Sequence, residues 1–567
     1  MQLTKKFLKN NDLLAVPFDK GIGFCIMPQK SYGNQLQPIL NLQQFSKFES
    51  SRKNAKNPII KEEERIVDTL KQLKNNGKIS ENLFNTLKPV GSQPPRLYGL
   101  AKVHKDGCPL RPVVSMPSSP YHQIAKKVAE WLSLVPECRI NSNTKDLSND
   151  LKNHNLNDNE RLVSFDVVSL YTNVPVFDSI KICADLLFDG KICLNFIDKE
   201  TFITLAKLAC CNVVFSTHDG LYQQNEGLAM GSAPAPHLAN GWLSQFDQRI
   251  RGGSSLYSRY MDDIICIMDN DLINDKLNEI NSFHTALKFT CEIEKDSTIP
   301  FLDMLIINQN GLLSSKWYRK STDTGLTMNF HSLAPFKYKK SVIIGFVHRI
   351  FRSCSNWAMI HEGLEEAKII LTKNQYPMHL IESVFHDTLT FLIKGEKSEK
   401  HCEPITLSEN ACLFNVPDKD KFQFFIQYRG KISEKFAHSI KKLNVPCRII
   451  MTLQKTKHTV SNLKTPVPDM FQSHVVYKIT CSRCNSCYVG QTTRHLLTRF
   501  KEHIGNRGLL KKHFEDCQVD PSFDLVKIVG RARGEKLLTL EALFISEIKP
   551  GLNTKDEYRK RELKLKF

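Results

Sequence analysis

Ser258-Arg259-Tyr260-Met261-Asp262-Asp263-Ile264-Ile265-Cys266-Ile267 places two adjacent acids between a polar lead-in and an apolar run. The pattern reads as a β-hairpin at 256–268, its turn carrying the acids and its second strand buried. Two neighbouring carboxylates repel each other unless a cation lies between them. Hard oxygen ligands on a tight turn suit Mg²⁺, which binds through a few carboxylates together with substrate phosphates. A third carboxylate would complete a two-metal site for phosphoryl or nucleotidyl transfer. That acid has to come from elsewhere in the chain.

Working outward, Arg161-Leu162-Val163-Ser164-Phe165-Asp166 is an apolar strand ending in an acid, with Tyr171 five residues later. Asp166 is the candidate third ligand; alone, such an acid reads more readily as a turn or helix cap. Tyr171 suits either a position under an incoming sugar or the core. Upstream, residues 96–115 read as two short strands around the turn Lys105-Asp106-Gly107, from which Lys102, Lys105 and Arg111 project. Cations on a rigid hairpin suit a triphosphate or a template backbone. Downstream, Gly231-Ser232 opens a helix over roughly 234–250, where small residues let a backbone approach a base pair or template strand. Helices are expected over 61–88 and 121–135, and a loop over the Asn- and Asp-rich 141–160. A basic amphipathic helix is expected over 336–353, with Val342, Phe346 and Ile350 on one face and Lys340, His348, Arg349 and Arg352 on another. Such a helix suits a duplex backbone. A strand–helix–strand unit is expected over 421–455.

The chain has 567 residues, room for about three to four domains. It has no apolar run of about 18 residues, the length of a membrane span. Met1-Gln2-Leu3-Thr4-Lys5-Lys6 lacks the apolar stretch of a secretory signal. Seventeen cysteines, an odd number and mostly scattered, fit a reducing compartment. An intracellular, non-secreted protein with no membrane partner is expected. Formal charge is +19, and its distribution is uneven: residues 421–567 hold 29 Lys and Arg against 13 Asp and Glu, residues 1–420 hold 49 against 46. The last quarter is therefore the basic unit, suited to a polyanion.

That basic region also holds the clustered cysteines, Cys481, Cys484 and Cys487. Cys481-Ser482-Arg483-Cys484 has zinc-knuckle spacing, and His513 with Cys517, four apart, would close a tetrahedron; Cys487 and His503 are rival ligands. Val475-Val476-Tyr477-Lys478-Ile479 reads as a strand, and Tyr488-Val489-Gly490 follows Tyr477 by eleven residues. Arg499 and His503, four apart on an expected helix, share a face. Glu541 falls on a later helix, before Lys549-Pro550-Gly551-Leu552-Asn553.

The order of basic hairpin, Asp166 with Tyr171, Gly231-Ser232 and Tyr260-Met261-Asp262-Asp263 resembles the fingers–palm–thumb core of reverse transcriptases. The phrases RLYGLAKVHKDGCPLRPVVS, SFDVVSLYTNVP, IPFLDM and SSKWYRKSTDT look like the Penelope-like retroelements, and residues 475–553 resemble the GIY-YIG nuclease domain fused to them. Val475-Val476-Tyr477 departs from Gly-Ile-Tyr but keeps the tyrosine. The resemblance implies a multidomain α+β chain, a right-hand polymerase followed by a small α/β GIY-YIG domain with a zinc site at Cys481, Cys484, His513 and Cys517. Its units would be 1–88 (N-terminal extension), 89–330 (fingers and palm), 331–395 (thumb), 396–470 (linker and connector) and 471–567 (endonuclease). Asp166, Asp262 and Asp263 would hold two Mg²⁺ and Glu541 one. Lys102 and Arg111 would contact the dNTP triphosphate, Tyr171 would exclude a ribose 2′-hydroxyl, and Gly231 and Ser232 would lie at the nucleotide. In the nuclease, Tyr477 or Tyr488 would help form the attacking hydroxide, Arg499 would neutralise developing charge, His503 would relay a proton and Asn553 would orient the site. The implied activities are RNA-directed DNA polymerase and DNA endonuclease, coupled as target-primed reverse transcription, with RNA template, DNA target and primer, and dNTPs as partners. A nuclear location is implied if the source is eukaryotic. Two other readings stay open: a polymerase whose nuclease is inactive, and a domesticated nucleic-acid-binding protein.

Overall fold

A computed structural model describes residues 2–48, 57–103, 105–138, 144–189, 197–399, 422–443, 447–453, 463–505 and 510–553. Its centre is a four-stranded sheet in the order Phe289–Ile293, Glu160–Val167, Asp263–Asp269, Ser254–Tyr260. The run that follows the paired acids is apolar throughout because this sheet is covered on both faces. Ile264, Cys266 and Met268 point into the main helical core beside Val163 and Phe165. Ile265 and Ile267 point the other way, against Ile299, Phe301, Met304 and Ile306 of a three-stranded sheet. Residues Ile264 to Met268 are each at most 1% exposed.

The expected loop at 141–160 contains a helix, Thr144–Lys152. Leu147 and Leu151, one helical turn apart, bury into the second of these cores; the Asn- and Asp-rich composition masked that pair. The other expected elements form with small shifts: Pro58–Asn75, Glu81–Leu87, His122–Leu132, Ala235–Arg251 and Phe336–Ser353. On the last helix the buried face is Ile343, Val347 and Ile350, with Val342 and Phe346 at its margin.

The fingers sheet runs Phe45–Lys47, Gly220–Gln224, Val213–Thr217, Arg96–Ala101, Leu110–Ser115. Its edge strand comes from the first 48 residues, which the expected boundaries place in the N-terminal extension. The hairpin Leu13–Pro17/Phe24–Pro28 packs Val16 and Met27 against Ala101 and Leu110, and Tyr32 Oη accepts from the Gly99 N–H at 2.6 Å. Three helices, Phe336–Ser353, Trp357–Lys373 and Met378–Glu399, share a separate core at the expected thumb. The connector strands Phe422–Gln427 and Cys447–Thr452 pair in parallel around the helix Lys431–Lys442, as expected for that stretch; residues 400–421 of the expected linker lie outside the described residues.

The basic unit is a three-stranded antiparallel sheet, Cys487–Thr492, Val475–Thr480, Val526–Arg531, with helices Leu496–Ile504 and Glu535–Ile548. It docks on the fingers. His495 Nε2–H donates to the Ser92 carbonyl at 2.7 Å, the Ser473 hydroxyl to the Gly91 carbonyl at 2.5 Å and Gln93 Nε2 to Gln472 Oε1 at 3.2 Å. Glu63 holds the same loop from behind, accepting from the Gly91 and Ser92 N–H groups. Gly91 sits at φ +62°, where a Cβ would collide with the Thr493 carbonyl and Ser473. Among the described residues no helix is long and apolar enough to cross a membrane.

Candidate active sites

The first site begins at the turn between the two central strands. Tyr260 and Asp263 are paired across it, and Met261 takes the left-handed conformation at φ +57°. A non-glycine residue in that region is strained and persists only where its surroundings over-determine it. Here Arg259 supplies the constraint. Its Nε donates to Asp247 Oδ1 at 2.7 Å, its Nη2 to Asp247 Oδ2 at 2.8 Å, and its Nη1 to the Met261 carbonyl at 3.2 Å and to Asn240. Tyr257 Oη–H also donates to Asp247, at 2.7 Å. The hairpin is thereby tied to the helix Ala235–Arg251.

Register then brings in the third acid. Asp263 lies directly opposite Asp166 on the neighbouring strand, and Thr290 flanks Asp166 on its other side. Asp166, Asp262 and Asp263 line one cavity of about 750 Å³. Burial, and then the charge of Asp262, push the Asp166 carboxyl up; burial, Asp262 and Asp166 push Asp263 up to about 6. Asp166 and Asp263, pushed up by burial and by neighbouring carboxylates, belong with Asp262 to a donor set in want of divalent cations, and its all-oxygen chemistry fits Mg²⁺.

Lys102, Lys105 and Arg111 line the same cavity. Lys102 is held below its ordinary range by burial and by Arg111 and Lys105. Tyr171, on the short helix Leu170–Asn173, is not among the lining residues but is close enough to feel Asp262; burial first, then that charge, push its hydroxyl up to about 12. Gly231 and Ser232 do not line the cavity either. Gly231, at φ +109°, lets its chain pass against the Val114 carbonyl of the fingers, and Ser232 is 5% exposed. Two lining lysines were missed, Lys20 and Lys320, along with Glu292. The first lies before the patch Gly21–Met27, where Asp19-Lys20 at a turn was the available signal.

The second site is built on the basic unit's sheet. Tyr477, on the central strand, is fully buried and its hydroxyl lies 2.6 Å from His503 Nε2. Burial, then Arg499, lower the His503 imidazole to about 4, so it is neutral near pH 7. In the tautomer protonated at Nδ1, Nε2 accepts the Tyr477 proton. Tyr488 presents its ring to His503 edge-on with centroids 4.9 Å apart. Burial, then Tyr488, push the Tyr477 hydroxyl above its ordinary range, while Arg499 pulls the other way. Glu541, 1% exposed, adds its charge to the same group. Arg499 is half-buried and pairs with Glu502 at 3.0 Å. Asn553 grips the backbone of Val489, accepting from its N–H at 2.9 Å and donating to its C=O at 2.8 Å, and so fixes the strand that carries Tyr488.

Cys481, Cys484, His513 and Cys517 converge so that their ligand atoms all lie within 4.8 Å of one another. The edge of a tetrahedron with 2.3 Å metal–sulfur bonds is about 3.7 Å, so the four fit Zn²⁺ after small adjustment. Cys484 Sγ is 3.4 Å and Cys517 Sγ 3.7 Å from His513 Nε2. Hydrogen bonds from Ser486 lower the Cys484 thiol to about 6, which favours a thiolate ligand. The rivals are placed elsewhere: Cys487 pairs across the sheet with Thr480, and His503 belongs to the tyrosine cluster.

Residues 103–300 match the family of reverse transcriptases (RNA-dependent DNA polymerases), residues 473–556 the GIY-YIG catalytic domain, and residues 326–386 the animal helix-turn-helix domain. The last match falls on the helices expected as thumb. No curated protein matches the chain. Among solved structures it is similar to telomerase from Candida albicans in complex with a fragment of telomeric RNA, at 13% identity and TM-score 0.42, over 69% of this chain and 65% of that one. It is also similar to apo telomerase from Candida tropicalis (10%, TM-score 0.39, 69% and 68%) and to the BmCPV RNA-dependent RNA polymerase at elongation state (13%, TM-score 0.32, 65% and 32%). The chain thus spans less than two thirds of the length of the first of these telomerases. It carries a reverse transcriptase domain of the RNA-dependent DNA polymerase family and, behind it, a GIY-YIG endonuclease domain.

Proposed function

We propose that this protein is the replication enzyme of a Penelope-like retroelement, which nicks target DNA and extends the freed 3′-end on an RNA template. The observation that carries the reading is the pairing of Asp166 with Asp263 inside a cavity that Lys102, Lys105 and Arg111 also line. Divalent ions held by Asp166, Asp262 and Asp263 would activate the attacking 3′-oxygen and stabilise the leaving one. Lys102 and Arg111 take the triphosphate charge, and Tyr171 stands behind the acids where the sugar of an incoming nucleotide lies. Gly231 and Ser232 serve the site indirectly, by seating the helix Ala235–Arg251 against the fingers. In the nuclease, Glu541 is the residue suited to one divalent cation. Tyr477 and Tyr488, backed by neutral His503, orient and deprotonate the attacking water, and Arg499 offsets charge building on the phosphate. Asn553 holds the Tyr488 strand in place. Zn²⁺ at the four-ligand cluster ties the sheet hairpin to the helix Lys511–Asp516. The basic helix Phe336–Ser353 follows the duplex leaving the site. A nuclear location follows from this reading if the source is eukaryotic.

The test is primer extension on an RNA template with Mg²⁺. Asp262→Ala is expected to abolish extension; extension surviving in that variant would sink the polymerase assignment. Nicking of supercoiled DNA is expected to vanish in Tyr488→Phe and Glu541→Ala; unchanged nicking would refute those roles. Wild type that extends but never nicks would favour an inactive nuclease, and wild type that only binds would favour a domesticated binding protein.

A further inference from the structure

Lys20 lines the polymerase cavity although it lies far outside the segment that matches the polymerase family. It sits in the loop joining the paired strands Leu13–Pro17 and Phe24–Pro28. That loop is fastened to the fingers at its base. The Asp19 N–H donates to the Ala101 carbonyl at 2.9 Å, and Phe18 forms a parallel bridge with Ala101. The Asp19 side chain is 5% exposed and its Oδ1 lies 3.0 Å from Arg111 Nε. The buried Oδ2 of Asp19 has no hydrogen-bond partner among the described residues, and its charge also acts on Lys102. Arg111 also lines the cavity.

The electrostatics of this wall are unbalanced. Lys20, Lys102, Lys105 and Arg111 converge there, and among the described residues Asp19 is the one acid that forms an ion pair with any of the four. Arg111, Lys105 and Lys20 each depress Lys102. Lys20 is exposed and, among the described residues, makes no ion pair, so its ammonium remains available for a ligand. Four cations crowded on one wall hold a polyanion with about four charges better than a single phosphodiester. Their place in one cavity with the carboxylates, where Lys20 acts on both Asp166 and Asp263, suits the outer phosphates of a nucleotide whose α-phosphate lies among the acids.

We propose that the Asp19-Lys20 turn belongs to the nucleotide site: Lys20 contacts the outer phosphates of the incoming nucleoside triphosphate, and Asp19 is a positioning residue that sets the angle of Arg111. This rests on the polymerase reading above. In full-length protein extending a DNA primer on RNA, Lys20→Ala is expected to raise KM for dNTP about tenfold, the loss of one charge-assisted contact. KM for primer–template and the melting temperature are expected to stay unchanged, and Lys20→Arg to restore most of the loss. Asp19→Asn is expected to raise KM for dNTP less, and to add nothing in an Arg111→Ala background. A second readout needs no chemistry: the dNTP concentration that traps a complex on a chain-terminated primer is expected to shift by the same factor. Unchanged KM for dNTP in Lys20→Ala, or a rise confined to primer–template, would overturn the proposal while leaving the polymerase standing. Wild type that extends no primer would overturn the polymerase reading instead. The rise in melting temperature with dNTP and Mg²⁺ then decides Lys20: loss of that rise in Lys20→Ala supports the contact, and its retention overturns it.

Discussion

His503 is a histidine held neutral by its surroundings, with Arg499 beside it and 3% of its surface exposed. Its folded pKa, about 4, lies below the ordinary 6.5. As pH falls, the unfolded chain therefore takes up the proton first, and folded stability declines between pH 6.5 and 4. The shift corresponds to about 3 kcal/mol at most. His503→Gln is expected to flatten that limb: thermal melts from pH 7.5 to 4.5 should show wild type losing more stability on acidification than the variant. An equal loss in both would mean His503 does not hold the shift. Among the cysteines, Cys517→Ser is expected to weaken metal binding by the basic unit, so that a chelator lowers the variant's melting temperature at concentrations the wild type tolerates. Metal content measured on purified protein is the direct check. These residues were legible as candidates because two pairs, Cys481 with Cys484 and His513 with Cys517, have ligand spacing. That His503 binds Tyr477 and not the metal was decided by packing, since both roles are compatible with its position in the chain.

The central hairpin illustrates what an element requires beyond its own pattern. Its existence follows from the sequence, because a polar turn before an apolar run has few other ways to fold. Its geometry depends on Arg259, whose partner Asp247 comes from a helix that precedes the hairpin. Removing one member of a mostly buried ion pair leaves the other uncompensated, a cost of about 3 kcal/mol. Arg259→Leu is expected to destabilise the polymerase core by that order and to lower kcat with little change in dNTP KM, because the Met261 turn loses its tie. Denaturant unfolding alongside steady-state extension would measure both. Gly231→Ala is expected to destabilise by about 2 kcal/mol, since the site's φ of +109° is one that side chains avoid and a Cβ there meets the Val114 carbonyl. The resemblance implies a nucleotide contact at Gly231; the close approach seen there is to the Val114 carbonyl, between two parts of the protein.

On the scale of the whole molecule, the two catalytic domains are joined by more than a tether. Gly91 and Ser92 of the fingers receive hydrogen bonds from Ser473 and His495, and Glu63 braces the loop from the other side. Gly91→Val with His495→Ala is expected to free the nuclease from the fingers. Hydrogen exchange at 90–94 and 472–496 should accelerate, while nicking and primer extension assayed separately persist. Unchanged exchange would show that other contacts carry the docking. The sequence by itself determined the chemistry on offer: adjacent acids in a hairpin, a third acid ending a strand, cations on a second hairpin, and a basic unit with tyrosines and metal-ligand spacing. These are local patterns, set by side-chain period and turn chemistry over a dozen residues or fewer. Only the tertiary structure decided that Asp166 pairs opposite Asp263, that a hairpin from the first 30 residues brings Lys20 to the same cavity and Asp19 against Arg111, and that the nuclease rests on the loop at Gly91 and Ser92. Each of these joins residues about a hundred to four hundred positions apart, where the energy lies in shared cores and cross-strand register that no local pattern encodes.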